Sequence, residues 1–285
     1  MSKKIDTKAI GLDVGLGFVK WLTGAENLHY GLWSGLDISA GNLGEAQANY
    51  TEKLFGYLPE GPLRILDIGG GAGATAAKLI ALGHTVDIVV PSALLADRCR
   101  ANAPEAIVHE MMFEAFEAPS GSFDLCLFSE SFQYIPLDTA LGKSLELVKS
   151  GGHILIADCF RSKAFNPDGK VRIAGGGHRA TAFHQTVETL PVSLEVEEDI
   201  TEAVAPSIDL EQELFHVFGQ AVTRIDTELV DKRPKTRWIV AKILKGLVGE
   251  RRLSRLDARL RQSDRSSESF IQNNRYLMVR LRKTI

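Results

Sequence analysis

Two stretches of the chain space glycines so that a backbone could close around a ligand. One is "GLDVGLGFVK" (residues 11–20), the other "ILDIGGGAGATAAKLI" (residues 65–80). Such a loop needs a buried strand feeding it and a helix leaving it, so that the helix's first amides and its dipole point at the ligand. The second stretch has both, "LRILDI" before it and "ATAAKLIALG" after it. The first follows the charged "SKKIDTKA" and runs into the short "FVKWLTG". An actin-like phosphate loop would need an apolar strand ahead of it and a matching second loop, and neither is visible. The first stretch is therefore expected to be a flexible connector in an N-terminal lid, with Gly15 and Gly17 as hinges. In the second, Gly69, Gly71 and Ala74 satisfy the dinucleotide spacing G-x-G-x-x-G/A, while Asp67 extends it to D-x-G-x-G-x-G through Gly73. A carboxylate at that point suits a cationic amino group and would repel a pyrophosphate.

The elements around this loop alternate from Pro62 onward. Strands are expected at "PLRILDIG", "TVDIVV", "AIVHEMMF", "SFDLCLFSES" and "HILIADCF". Helices between them are "ATAAKLIALG", "SALLADRCRANA" with Ser92 as N-cap, and "LDTALGKSLELVKSGG". This alternation predicts an α/β fold with a doubly wound, mostly parallel sheet of seven strands and helices on both faces. An N-terminal lid (1–58), a core (59–205), a basic helical cap (206–268) and a final core strand (269–285) make up the expected domains. The late elements are "NPDGKVRIAGGGHR" as a loop, "AFHQTVETL" as a short helix, "VSLEVEEDITEAVAP" as strand and turn, and "RYLMVRLRK" as the last strand. In a parallel sheet the ligand lies beyond the strands' C-terminal ends, which directs attention to residues 67–73, 89–92, 112–114, 129–134 and 158–161.

With these residues in view, the chain resembles the class I methyltransferases that use S-adenosylmethionine (SAM), in their small-molecule branch. The likeness runs from about His29 to Phe160. It is carried by "LDIGGGAG", "LLADRCRANAP", "GSFDLCLFSESFQYIP" and "HYGLW" (residues 29–33). The last resembles the HxGYW lid element of methyltransferases acting on sugars, tocopherols and methylated glycines, and "VEEDITEAVAP" resembles a segment these enzymes use near the substrate. SAM carries both an amino group and a sulfonium. The resemblance and the strand-end rule assign cofactor contacts to Tyr30, Asp67, Gly69, Gly70, Gly71, Gly73, Val90, Pro91, Ser92, Met112, Phe113, Ser129 and Glu130. Acceptor-side groups are expected at Gln133, Tyr134, Asp158 and His178. No metal centre is expected. Trp33 and Phe132 are read equally as site or core residues, and His29 as a surface or capping residue.

Two departures from the family stand out. The acid that usually holds the ribose falls at Val89 or Val90, with Asp87 in mid-strand, and the adenine-side acid falls near Met112, with Glu114 two residues on. A missing ribose carboxylate forgoes hydrogen bonds worth about 1.5–3 kcal/mol. Where many relatives carry a His pair after the fourth strand, this chain has Gln133 and Tyr134, so a general base must come from Glu130, Asp158, His178 or His184. An acceptor that is already anionic needs none. The expected function is thus SAM-dependent methyl transfer to a small acceptor, anionic or hydrophobic, through oxygen or nitrogen. Two readings stand beside it: a methyltransferase fold that binds its ligand without transfer, and an NAD-dependent enzyme.

Composition bounds the rest. The 285 residues, 45% of them apolar, suffice for one large core. No apolar run reaches the length of a membrane span and the N-terminus lacks a signal peptide's apolar core, so a cytoplasmic location is expected. Cys99, Cys126 and Cys159 have no metal-binding spacing and are read as buried thiols. Net charge is −3, yet residues 231–285 carry 16 Lys and Arg against 5 Asp and Glu, and the first 230 residues carry 17 against 31. The basic segment either meets something anionic (lipid or a carrier protein, not nucleic acid) or docks on its own acidic domain. Within it, Thr236 to Gln262 spaces apolar residues helically, as a lid or homodimer helix that buries its stripe in protein, or as a membrane-surface helix.

Overall fold

The computed structural model describes residues 7–167, 173–261 and 265–285. In chain order the elements are α1 (Thr7–Thr23), α2 (Leu43–Phe55), β1 (Arg64–Ile68), α3 (Ala74–Ala81), β2 (Thr85–Val89), α4 (Ala93–Asn102), β3 (Ile107–His109), β4 (Phe123–Ser129), α5 (Leu137–Leu147) and β5 (Val148–Arg161). There follow α6 (Ala180–Glu188), β6 (Val192–Asp199), α7 (Thr201–Val204), α8 (Pro206–Lys232), α9 (Pro234–Val248), α10 (Glu250–Arg261), α11 (Ser267–Asn273) and β7 (Asn274–Lys283). The strands form one seven-stranded sheet in the order β3-β2-β1-β4-β5-β7-β6. β1 to β5 run parallel, and β7 is antiparallel to both β5 and β6.

Side-chain alternation along the strands divides the interior into two cores. Ile65, Leu125, Leu127 and Leu155 pack with α2, α3 and α4 on one face. Leu66, Cys126, Phe128 and Ile156 pack with α5 and α6 on the other. Burial on both faces explains why these strands read as continuous apolar runs. The three cysteines are buried and free.

Four expectations need correction. "GLDVGLGFVK" is no connector: it lies inside α1, although each interior glycine weakens a helix by about 1 kcal/mol. Tertiary contacts outweigh that preference. Leu16 is fully buried, Asp13 pairs with Arg98 at 3.1 Å and Lys20 with Glu26 at 3.1 Å. Gly24, at φ +79°, ends the helix. The third strand is three residues long, because Met111 and Met112 turn out to solvent. The fifth starts at Val148, earlier than the apolar run, and spans 14 residues. The apolar stripe of α9 is not buried within the chain: none of its residues is buried, and Leu247 is 80% exposed. Of the "NPDGKVRIAGGGHR" loop, residues 168–172 lie outside the described residues, as does Gln262 at the end of the apolar stripe.

The basic segment divides in two. Arg275, Arg280 and Arg282 of β7 pair with Asp199 and Glu195 of β6, so they dock on the chain's own sheet. Among the described residues, the cations of α9 and α10 pair with acids of α8 and α10: Arg237 with Asp226, Lys245 with Glu250, Arg259 with Glu211 and Arg261 with Asp257. Among the described residues no helix is long and apolar enough to cross a membrane.

Candidate functional site

β1 delivers the chain into the glycine loop at Ile68, and α3 leaves it at Ala74. Gly71 has φ +56°, and a Cβ there would meet only Leu28, at 3.6 Å. Its backbone therefore faces open space that a ligand can approach. Gly73 has φ +85°, and a Cβ there would stand 2.9 Å from the Cα of Cys99, so only glycine lets α3 and α4 come this close. Under the loop lies Asp67, 1% exposed, whose Oδ2 has no hydrogen-bond partner among the described residues. Burial pushes its carboxyl up to about 7. A buried oxygen without a partner is unfavourable unless a ligand supplies one.

Asp67 lines a cavity of about 420 Å³. Its floor is Gly69 to Ala72, its walls are Val90, Pro91, Leu95, Ser129, Glu130, Ser131 and Tyr134, and its roof is Glu26 to His29. The roof connects α1 to α2. Glu26 is 6% exposed, and burial opposes its ionisation. Asn102 at 2.7 Å, Lys20 at 3.1 Å and Arg98 at 3.1 Å nonetheless hold it below the ordinary carboxylate range. The bonds from Arg98 and Asn102 tie the roof to α4, and the one from Lys20 ties it to α1. His29 is buried and stacked on Tyr50 with centroids 4.5 Å apart, and burial lowers its imidazole to about 4, so it sits neutral.

A second cavity, about 700 Å³, adjoins the first and shares Asn27, Leu28, His29, Glu130 and Tyr134 with it. Phe18, Val19 and Leu22 of α1 and Leu210, Leu214 and Val217 of α8 form much of its wall, with Glu211 and Arg265 also lining it. Glu130 stands where the two meet. Its backbone has φ +58°, uncommon for a side-chain-bearing residue and a conformation that the hydrogen bond its N–H donates to Ala157 O at 2.9 Å supports. Its Oε1 accepts from Tyr30 N at 2.7 Å and from the Tyr276 hydroxyl at 2.9 Å. The Tyr276 hydroxyl is also bonded to that of Tyr50 at 2.8 Å. Burial, reinforced by Asp158, pushes the Glu130 carboxyl up to about 8 against the pull of those two donors.

The structure brings together Asp67, Gly69, Gly70, Gly71, Val90, Pro91, Ser129, Glu130 and Tyr134 in the first cavity, and Tyr30 on the second. Others named from the sequence lie elsewhere. Gly73 faces Cys99. The Ser92 hydroxyl caps α4, accepting from Leu95 N at 3.5 Å. Met112 is 52% exposed, and Phe113 is buried in the core, edge-on to Phe128 at 5.9 Å; neither lines either cavity.

The acceptor-side set needs the largest correction. Asp158 is fully buried and accepts from Gln133 N at 3.0 Å and Cys159 N at 2.6 Å, so it shapes the turn carrying Tyr134 and touches neither cavity. Its carboxyl is pushed up to about 7 by burial. The Gln133 side chain lies against Gly176 of the glycine-rich loop. His178 Nε2 meets the carbonyl of Ile135 at 2.9 Å, and His184 pairs with Glu197 at 2.9 Å. A strand-end position is legible in sequence; the direction of its side chain is not. Phe132 and Trp33 prove to be core residues, the latter donating to Ser207 Oγ at 2.8 Å. Asp87 pairs with Arg64 and His109 and does not line the first cavity. Unforeseen were Glu26, the Tyr50–Tyr276 pair and the α8 wall, each set by contacts remote in sequence.

Residues 66–156 match the family described as "Methyltransferase domain". Among solved structures, the cyclase SpnF is similar, with TM-score 0.69 and 15% identity over 98% of this chain and 96% of that one. The cyclopropane synthase MmaA2 from Mycobacterium tuberculosis has TM-score 0.66 and 15% identity, covering 99% of this chain and 100% of that one. The geranyl diphosphate C-methyltransferase from Streptomyces coelicolor A3(2), solved with S-adenosyl-L-homocysteine, has TM-score 0.64 and 13% identity over 93% and 91%. No curated protein matches the chain closely enough to count as a relative.

Proposed function

We propose, for a chain whose core is a class I methyltransferase domain, that it transfers a methyl group from SAM to a small acceptor with an apolar body. The observation that carries this reading is the unpartnered carboxylate oxygen of Asp67 beneath an open glycine cradle. The residues fit SAM: Asp67 would accept from its amino group, and Gly69 to Gly71 would lie against its methionine end. The NAD reading fits worse, since a pyrophosphate at this loop would meet that buried acid. When bound, SAM supplies an electrophilic methyl group on a sulfonium.

The chain's own contribution is positional and acid–base. Phe18, Leu22, Leu210 and Leu214 hold the apolar part of an acceptor and exclude water from it. Of the four bases considered from sequence, only Glu130 lines the cavities. Its carboxylate would take the acceptor's proton, while Tyr30 N and the Tyr276 hydroxyl hold Oε1 in place. The family's ribose position at the end of β2 holds no acid: Val90 is apolar and Ser92 is engaged as a cap. That vacancy in the family pattern favours, as second reading, a fold that holds SAM without transferring methyl.

Calorimetric titration with SAM and with S-adenosylhomocysteine tests the first step, and absence of heat with both would overturn the proposal. Label transfer from methyl-tritiated SAM into a pool of apolar small molecules separates transfer from binding alone. With a responsive acceptor, the rate should climb with pH through about 8, where Glu130 ionises. Glu130→Gln should be slow and flat over that range.

A further inference from the structure

The second cavity's wall continues outward as a helical arm. α8 lines the cavity with Leu210, Leu214 and Val217, then carries Phe218, Val222 and Ile225 into solvent, 44–60% exposed. α9 and α10 follow, and α10 folds back on α8, where the backbone of Leu260 leaves room only for Gly219.

α9 has the composition of a helix made to lie in an interface. Ile239, Ile243 and Leu247, with Val240 and Leu244 beside them, share one face by their spacing of four residues and are 41–80% exposed. Lys235 and Lys242 fall on the flank of that face, and Trp238 lies beyond Lys242 towards the far side, with the Lys242 ammonium 4.8 Å from its ring centroid. Over residues 234–261 there are nine Lys and Arg against two acids. Among the described residues, Lys235, Lys242, Arg251, Arg252 and Arg255 have no ion-pair partner. An apolar face of this size standing in water calls for a cover. Two such arms meeting face to face would bring like charges together, whereas an anionic bilayer satisfies both the cations and the apolar face.

We propose that α9 and α10 dock this chain on an anionic lipid bilayer, with Ile239, Ile243 and Leu247 entering the headgroup–acyl boundary and the unpaired lysines and arginines on the phosphates. α9, of 15 residues, lies along the surface, since no described helix is long and apolar enough to cross. The second cavity, walled by the same α8, is thereby brought near the bilayer; the idea that its acceptor comes from lipid rests on the methyl-transfer reading, but the docking does not.

The test is co-sedimentation of the full chain with phosphatidylcholine vesicles, plain or with about a quarter phosphatidylglycerol, without SAM. The chain should pellet with the anionic vesicles only, and high salt should release it. Ile243→Asp with Leu247→Asp, or Lys235→Glu with Lys242→Glu, should each lower partitioning by about tenfold or more. All four positions are exposed, so the variants should keep the parent's circular dichroism and melting temperature. Equal pelleting of parent and variants overturns the proposal, as does failure to pellet. A dimer that ignores vesicles and that Ile243→Asp dissociates would assign the face to a second copy. Because SAM titration is run without vesicles, failure of either proposal leaves the other standing.

Discussion

Asp67 joins binding to protonation. Its carboxyl is pushed up to about 7, so in the free protein near neutrality it is partly protonated. An ammonium partner needs it ionised. SAM affinity should therefore strengthen as pH rises from about 5.5 to 8, with release of a proton on binding that disappears in high-pH buffer. Asp67→Asn keeps the shape and removes the charge. It should weaken SAM by about 10- to 100-fold, the loss of one charge-assisted hydrogen bond, and abolish the pH dependence. Calorimetry in buffers of different ionisation enthalpy reads both effects. An Asn variant with parental affinity would leave Asp67 without a ligand role.

Helices and strands differ in how openly the chain announces them. β1, β2, β4 and β5 are buried on both faces, so their apolar runs stand out in the sequence, and the loop between β1 and α3 is legible from its glycines alone. α1 is not, because glycines at 11, 15 and 17 speak against a helix that packing then imposes. The roles of Asp158 and His178 were equally hidden, since whether a polar side chain points to a cavity or to backbone depends on neighbours 25 and 43 residues away. The difference between glycines is measurable. At Gly15 an added Cβ meets nothing within 4 Å, so Gly15→Ala should stabilise by about 0.5–1 kcal/mol and leave SAM binding unchanged. At Gly219 the added atom would collide with the backbone of Leu260, so Gly219→Ala should loosen α10 from α8 at an expense of about 1–3 kcal/mol. Chemical denaturation for the first and hydrogen exchange of α10 for the second check these outcomes.

Three carboxyls shape the stability of the molecule as a body. Asp67 and Asp158 hold their protons to about 7 and Glu130 to about 8. Unfolded, all three ionise near pH 4. Between those limits the native state binds more protons than the unfolded one, so stability should fall as pH rises from about 5 to 8. Thermal melts across that range should show a declining midpoint, and saturating SAM should recover the part due to Asp67. A midpoint rising with pH would contradict the burial that underlies the proposed site.

The placement of β7 bears on when the molecule becomes competent. It inserts between β5 and β6, and its Tyr276 supplies the hydroxyl that holds Glu130 from 146 residues away. Loop closure over such a separation is slow and comes after the local β-α pairs have formed. During folding, the glycine cradle and Asp67 can thus assemble early from neighbouring segments, while the acid at the junction of the two cavities waits for the most distant pairing. Ligand affinity should return ahead of catalytic competence when the unfolded chain is allowed to refold, and the interval between them is the time β7 takes to find its place.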